Sequence, residues 1–454
     1  MILEELTGKR MALLGLGVEN QALGEYLLSK GLRFSVCDRQ AEVAIRPLWA
    51  DQVEEWRLGP DYLERLEDFD LIWRTPGISP LRPELQQAQR VGAQISSQTR
   101  LFVALCPCPI LGVTATKGKG TTSPIIARIL REARGKGVRL GGNIGLPPIS
   151  FLEELQPVDL VVLELSSFQL QDLDQSPQIA VVVNLTQDHL DYHASREEYL
   201  EAKRNICRHQ QAGDVLVVNQ DCAQARGLAV GHRAAVWTFS TAGPVEQGAW
   251  VEEGSLWLRR PGVGREELCR AEEIPLRGRH NWENTAAAAT AAAVAVASAA
   301  EIRAGSLGFE GLAHRLERVG EYGGVCYYND SLATTPDAAV AALQAFDEPL
   351  VLIAGGCSKG ADFSVLGKQL TIGRVKAVVL LGEEGERIAR AALQAGYGGE
   401  LVRSCQDMEE AVAQARQRAQ PGEVVLLSPA CASFGIFANY QDRGEQFKRA
   451  ARGG

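Results

Sequence analysis

No stretch of this 454-residue chain is long and apolar enough to cross a bilayer. The nearest approach, the alanine-rich run Ala286–Ala300, is too short for a span and only weakly hydrophobic. The N-terminus, Met1-Ile2-Leu3-Glu4-Glu5-Leu6, has acids where a signal peptide carries bases. Positive charge is also in short supply. A net charge of −9 argues against general nucleic-acid binding and leaves room for a local basic site facing an anionic small molecule. The ten cysteines are scattered, and the close pair Cys106-Pro107-Cys108 lacks metal-ligand spacing. Together these absences predict a cytoplasmic protein with reduced thiols and no membrane insertion. What is present is an ordinary globular composition, 46% hydrophobic and 23% charged. The length suits about two to four domains.

The stretch Gly112-Val113-Thr114-Ala115-Thr116-Lys117-Gly118-Lys119-Gly120-Thr121-Thr122 organises the chain. Cys108-Pro109-Ile110-Leu111 before it reads as a buried strand, and Ile125, Ile126, Ile129 and Leu130 after it recur at helical spacing. A strand, a Gly/Thr-rich turn and a helix are the context of a phosphate-binding loop, where backbone N–H groups and the helix dipole converge on an anion. Lys119 is placed to reach the terminal phosphates. Against the general G-x-x-x-x-G-K-[ST] pattern, the first glycine falls on Val113 and Gly120 lacks the hydroxyl. Thr121 or Thr122 must then supply the magnesium-side oxygen. The competing reading is an ordinary βα turn with a solvated lysine.

Upstream, Met11–Gly17 reads as a strand ending in Gly15-x-Gly17, followed by a helix through Leu23, Tyr26 and Leu27 and a strand Phe34–Arg39 ending in Asp38. This is a Rossmann-like βαβ unit, but Asn20 holds the place of the third fingerprint glycine, which disfavours a dinucleotide. Another nucleotide, or no ligand at all, fits the unit. Asp70–Gly77 is a further strand with a Pro-Gly turn at its carboxyl end.

Downstream, Gly141-Gly142-Asn143-Ile144-Gly145 is a glycine-dense loop or a plain tight turn. Val158–Gln169 is a β-branched and aliphatic run that ends in Glu164, a candidate magnesium ligand or an acid emerging into solvent. Ile179–Leu185 is a buried strand that delivers Asp188 and His189 to the same sheet edge. Lys203, on the helix Arg196–Cys207, reads by itself as a solvated surface residue. Val215–Leu268 is β-rich and turn-rich, without evident chemistry. Asn281 and Asn284 precede a helix from Thr285 to Ala300 and serve either nucleotide contact or capping. From about Gly311, strands ending in Asp330, Ala354 and Leu427 alternate with helices, which predicts a further doubly wound α/β domain.

In order and spacing these segments resemble the Mur ligases over nearly the whole chain. The carrying segments are the loop Thr114–Thr122, Gly-Gly-Asn-Ile-Gly at Gly141, Leu-Glu-Leu-Ser-Ser-Phe-Gln-Leu at Leu163 and Asp-His at Asp188. They continue with His-Asn-x-x-Asn at His280, His-Arg at His314, Asn-Asp-Ser-x-Ala-Thr at Asn329 and Leu-Ser-Pro-Ala-Cys-Ala-Ser-Phe at Leu427. Ser428–Phe434 with Asp442-Arg443-Gly444 resembles the D-glutamate-adding member. The resemblance implies an α/β protein of three domains. These are a UDP-binding Rossmann-like domain at 1–96, a central P-loop ATPase-like domain with a parallel sheet at 97–311, and a C-terminal amino-acid-binding Rossmann-like domain at 312–454. It implies a monomeric ligase of peptidoglycan precursor synthesis that couples ATP cleavage to amide formation between UDP-N-acetylmuramoyl-L-alanine and D-glutamate, with closure around its ligands; the alternatives are a Mur-family ligase for another amino acid or acceptor, or a non-catalytic nucleotide-binding relative whose loop has decayed at Gly120.

The residue roles that follow are implied by the resemblance. Ala115, Thr116, Lys117, Gly118, Lys119, Gly120, Thr121, Asn281, Asn284, Arg315 and Asp330 would bind ATP. Thr121, Glu164, His189 and Lys203, the last as a carbamate, would support two Mg2+ ions, with Lys119, His189 and Lys203 taking catalytic roles. Gly17, Val18, Asp38, Arg39, Gly77, Asn143, Ser166 and Gln169 would face the UDP-substrate, and Thr334, Lys359, Ser433 and Tyr440 would face D-glutamate. The chain departs from the family pattern at Ala115, Lys117, Gly120 and Leu332, where glycine, asparagine, serine or threonine, and lysine are usual.

Overall fold

The computed structural model describes residues 3–41, 49, 51–186, 192–357, 360–372, 374–433 and 435–453. Two compact units form, Met1–Glu273 with Trp282–Ser306, and Ile274–Asn281 with Leu307–Gly454. No helix among the described residues is long and apolar enough to cross a membrane. All ten cysteines are free thiols.

The first unit opens with five strands: β1 (Met11–Leu14), β2 (Phe34–Asp38), β3 (Val53–Leu58), β4 (Leu71–Arg74) and β5 (Gln94–Ser96). They pair in parallel in the order β3-β2-β1-β4-β5. The strand order reverses between β1 and β4, so their carboxyl-end turns flank the crevice where open α/β sheets take ligands. Asn20 is buried in the helix Val18–Ser29, and its Nδ2 reaches the carbonyls of Leu14, Gly15 and Trp73 at 2.8–3.1 Å. The side chain in the glycine's place thus braces the two strand ends.

The second sheet of this unit comprises β6 (Ile110–Thr114), β7 (Val138–Gly142), β8 (Leu160–Glu164), β9 (Ile179–Val182), β10 (Val215–Asn219) and β11 (Ala235–Phe239). All pairs are parallel, in the order β11-β10-β9-β6-β8-β7. Helices cover both faces, which is why β6 and β8 are apolar nearly throughout and buried along their whole length. An antiparallel sheet of β12 (Gly248–Glu252), β13 (Ser255–Arg260) and β14 (Gly264–Arg270) follows. One apolar core runs from Leu13, Phe34 and Trp73 of the first sheet through Phe102 and Phe151 to Leu163 and Val182 of the second.

The helix predicted from Thr285 to Ala300 is two helices, Arg279–Val294 and Ala299–Leu307. Val296 between them has φ 66°. Ser298 starts the second with a capping box: its Oγ accepts from the Glu301 N–H at 3.3 Å, and its own N–H donates to the Glu301 carboxylate at 2.7 Å. Ala286–Ala289, Ala291 and Ala292 are fully buried, so small side chains let this helix pack on all sides.

In the second unit, β15 (Glu317–Tyr322) pairs antiparallel with β16 (Val325–Asn329). β17 (Leu350–Gly355), β18 (Val375–Leu381), β19 (Glu400–Cys405) and β20 (Val424–Leu427) complete the sheet in parallel, in the order β15-β16-β20-β17-β18-β19. One apolar cluster centres on Leu352, Leu366 and Ile388, and another on Val351, Val412 and Phe447. This is the doubly wound domain expected.

Gly305 marks a close approach between two helices. A Cβ there would lie 2.4 Å from Ile129 Cα on the helix Lys119–Arg134. Gly305→Ala is expected to destabilise the first unit by about 1–3 kcal/mol in urea unfolding; an unchanged midpoint would contradict this packing.

Candidate functional site

Thr114 ends β6 and Lys119 begins the helix Lys119–Arg134, so residues 115–118 form the turn between them. Gly118 precedes the helix with φ 96°, and a Cβ there would lie 2.4 Å from Asn284 Oδ1. Glycine is required twice over, by conformation and by space. Asn284 also accepts from Thr122 Oγ1 at 3.2 Å. Asn184 shapes the turn from the next strand: its Oδ1 accepts the Lys117 N–H (3.0 Å), its Nδ2 donates to Lys117 O (2.8 Å) and its carbonyl accepts the Thr116 N–H (2.9 Å). Thr116 Oγ1 lies 2.9 Å from Tyr199 Oη and accepts from the Thr186 N–H at 2.9 Å. Lys119 and Gly120 occupy the first helical turn, where N–H groups lack intrahelical acceptors and favour an anion. Lys117 is exposed and Thr121 is buried.

Lys203 is 2% exposed, which corrects its reading as a surface residue. Its ammonium donates to Thr114 Oγ1 at 3.0 Å and to Ala115 O at 2.9 Å, and lies 5.2 Å from the Tyr199 ring centre. A buried cation at the carboxyl end of β6 thus pins the entry to the turn. Glu164, ending the adjacent β8, is buried as well and accepts from Asn143 Nδ2 at 2.9 Å. The glycine-dense loop is more than a plain turn. Gly142 has φ 100°, and a Cβ there would lie 2.2 Å from Glu164 O, so glycine brings Asn143 against the acid. Ser166 and Gln169 close a capping box on the short helix Ser167–Leu170. Gln169 Nε2 donates to Glu19 Oε1 at 2.7 Å, so its amide is engaged at both ends. Burial pushes the Glu19 carboxyl up to about 7 against the opposing pull of Gln169 and Arg74.

At the carboxyl ends of β1, β2 and β4 lies a cleft of about 500 Å³. Gly17, Asp38, Arg39 and Gly77 line it together, with Tyr62 and Tyr192. Val18 opens the following helix and is 71% exposed. Asp38 Oδ2 accepts the Leu16 N–H at 2.6 Å, which fixes the glycine turn beside the cleft.

In the second unit, Asp330 directly follows β16 and is 6% exposed. It accepts from Ser428 Oγ at 2.9 Å and from the Leu316 N–H at 3.1 Å. Burial raises its carboxyl to about 7, opposed by these two bonds and by the Arg315 charge. Arg315 is exposed, and Asn281 Nδ2 donates to Arg277 O at 2.6 Å. Thr334 is exposed, Ser433 is buried, and Tyr440 packs its ring edge-on against His314, with centroids 5.9 Å apart. Arg443 is 1% exposed; it donates to Ser331 Oγ and O and to Cys431 O at 2.8–3.1 Å, tying the two C-terminal loops together. A Cβ on Gly444 would lie 2.2 Å from His314 Nδ1.

Asp188, His189 and Lys359 lie outside the described residues. His193, just beyond, is held between Glu198 Oε2 (2.5 Å) and Ser167 Oγ (2.9 Å). Sequence reasoning missed Asn184, Tyr199 and Arg74. The readable signal for Asn184 was an amide directly after Val181-Val182-Val183, and for Arg74 a cation closing the apolar β4.

Three family profiles match this chain: a MurD-like N-terminal domain of Mur ligases at residues 9–97, the Mur ligase middle domain at 113–292, and the Mur ligase glutamate ligase domain at 314–431. The chain belongs to the Mur ligase family. A protein of Symbiobacterium thermophilum named UDP-N-acetylmuramoylalanine–D-glutamate ligase is 44% identical over 449 residues, 97% of each chain. One of the same name from Acetivibrio thermocellus is 38% identical over 454 residues, 98% of this chain and 96% of that one. Among solved structures, the UDP-N-acetylmuramate-alanine ligase MurC from Thermotoga maritima shares the fold at TM-score 0.59 and 18% identity, covering 98% of this chain and 99% of that one. MurF ligase from Thermotoga maritima in complex with ADP shares it at TM-score 0.57 and 17% identity, covering 99% of both.

The raised Asp330 carboxyl has a sign that can be checked. An unfolded carboxyl ionises near 3.8 and the folded one at about 7, so the folded state holds the extra proton between those values. Stability of the second unit should fall as pH rises through that window and level off above it. Asp330→Asn is expected to flatten the fall in urea unfolding followed across the window. An equal slope in both proteins would contradict the assignment.

Proposed function

We propose that this chain is the ATP-dependent ligase that adds D-glutamate to UDP-N-acetylmuramoyl-L-alanine in peptidoglycan precursor synthesis. One observation carries the reading. A glycine-turn cleft and a phosphate-type loop end two parallel sheets of one unit, in a chain 44% identical, over 97% of its length, to a protein named for that reaction. The working division is 1–96 for the UDP end of the substrate, 97–311 for ATP and 312–454 for the amino acid.

A carboxylate is a poor acylating agent. In this reading a carboxylate oxygen of the alanyl substrate attacks the γ-phosphorus of ATP, ADP departs, and an acyl phosphate results. The amine of D-glutamate attacks the acyl carbon and loses a proton, and phosphate leaves with the C–O electron pair. The protein's work is positioning and neutralising negative charge. Lys119 and the first-turn N–H groups would hold the β- and γ-phosphates, with Asn281, Asn284, Arg315 and Asp330 assigned to the rest of ATP. When bound, Mg2+ would supply charge neutralisation for the phosphates. The donor set suits that hard cation: Glu164, oriented by Asn143, offers a buried carboxylate, and Thr121 a hydroxyl. His189 is assigned to a second ion. Carbamylation of Lys203 belongs to the same reading. It would turn the cation under Thr114 and Ala115 into an anion, at the expense of donors that now hold the loop.

Thr334, Lys359, Ser433 and Tyr440 are assigned to D-glutamate. Gly17, Val18, Asp38, Arg39 and Gly77 are assigned to the uridine diphosphate, and Asn143, Ser166 and Gln169 to the muramoyl-alanine end. The small-molecule substrates and the net charge of −9 accord with a cytoplasmic enzyme that acts without nucleic acid.

Phosphate release from ATP and Mg2+ is expected to require both UDP-N-acetylmuramoyl-L-alanine and D-glutamate, and to stop when L-glutamate replaces D-glutamate. Release restored by a different amino acid would move the protein elsewhere in the family. Lys117 is exposed within the loop, where the family has asparagine. Lys117→Ala is expected to weaken ATP binding by about threefold to tenfold in calorimetry, as loss of one charge-assisted phosphate contact should; unchanged affinity would remove Lys117 from the phosphate site.

A further inference from the structure

Arg74, the last residue of β4, is absorbed by none of the roles above, yet its side chain is fully buried. Its Nη1 donates to Pro76 O at 3.2 Å, to Tyr192 Oη at 2.9 Å and to Ile78 O. Its Nη2 donates to Phe168 O at 3.1 Å and to Asp172 Oδ2 at 2.6 Å. Tyr192 Oη itself donates to Pro76 O at 2.8 Å. Among the described residues the Nε of Arg74 has no partner, and its hydrogen bonds there run through the fork that faces these groups.

The partners divide into two sets. Pro76 and Ile78 belong to the turn whose Thr75, Gly77 and Ile78 form a wall of the cleft. Phe168 and Asp172 belong to the segment that leaves β8 after Glu164. A planar guanidinium fork reaches both sets at fixed geometry, which a lysine ammonium cannot do. Burying such a pair carries a large desolvation cost, and apolar residues of equal volume commonly hold a fold as well. The contacts therefore point to a need for register between the two segments rather than for stability alone.

We propose that Arg74 is a positioning residue for the nucleotide-sugar cleft. It sets the Thr75–Ile78 wall against the Phe168–Asp172 segment, so that the uridine-diphosphate end of the substrate binds in register with the Glu164 edge of the central sheet. The inference rests on the reading of that cleft as the UDP end of the substrate site.

The test uses the full-length enzyme, with calorimetric binding of UDP and of ATP read separately from turnover. Arg74→Met leaves Asp172 buried without its cation and is expected to lower the melting temperature. The double variant Arg74→Met/Asp172→Leu removes both charges and is expected to melt near wild type. It should nonetheless bind UDP at least tenfold more weakly, with a matching rise in KM for the nucleotide substrate and ATP affinity within about twofold of wild type. A double variant that folds and binds UDP as wild type overturns the proposal, as does equal weakening of UDP and ATP. Tyr192→Phe, which keeps the ring and removes the hydroxyl from Pro76 and Arg74, is expected to weaken UDP binding severalfold; no change would also count against the proposal. Failure of the wild-type chain to bind UDP at all would instead sink the reading of the cleft, whatever the variants do.

Discussion

A loop that offers its backbone N–H groups to an anion cannot use all of them to hold its own shape. In the proposed reading, that constraint governs the centre of this protein. The turn after β6 is fixed from outside: Asn184 clamps Lys117 through both its N–H and its carbonyl, the Lys203 ammonium holds Thr114 and Ala115, and Tyr199 meets Thr116. Gly118 then lets the chain enter the helix with no Cβ between it and Asn284. The N–H groups of the first helical turn keep their direction because neighbouring elements supply the rigidity. Parallel sheets make such an arrangement practical, since every strand of the sheet ends on the same edge.

The same logic extends to the buried polar groups along that edge. Glu164 would be costly to bury alone, and Asn143 meets it because Gly142 lets the β7 turn approach the β8 backbone. Arg74 and Asp172 join the wall of the first-sheet cleft to the segment beyond β8. In the second unit, Arg443 draws the Ser331 and Cys431 loops together while Asp330 is held by Ser428 and Leu316. In each case a side chain from another element supplies what the loop cannot supply for itself.

Much of this was legible in the sequence, for physical reasons. Buried parallel strands leave continuous apolar runs, so β1, β6, β8, β9, β17 and β20 stood out, and the glycines at 15, 118 and 142 marked turns. Edge strands were harder to see: β3, Val-Glu-Glu-Trp-Arg-Leu, carries no such run. The break at Val296 was missed because alanine favours helix on both sides, although Ser298 and Glu301 spell a capping box. The turn after β6 and the buried acid Glu164 were readable as a pattern. The clamps that hold them were not, because Asn184 and Lys203 act across distances of 67 and 88 residues along the chain. Nothing local distinguishes a buried lysine on an amphipathic helix from a solvated one.

The proposed reaction activates a substrate carboxylate by phosphorylation at the loop after β6. Its most direct test is oxygen transfer. UDP-N-acetylmuramoyl-L-alanine labelled with oxygen-18 in the alanyl carboxylate would be turned over with ATP, Mg2+ and D-glutamate, and the released phosphate analysed by mass spectrometry. This reaction leaves one labelled oxygen in each phosphate and the other in the new amide. Phosphate released without label would mean that ATP is hydrolysed by water and that the carboxylate is never phosphorylated, which would contradict it.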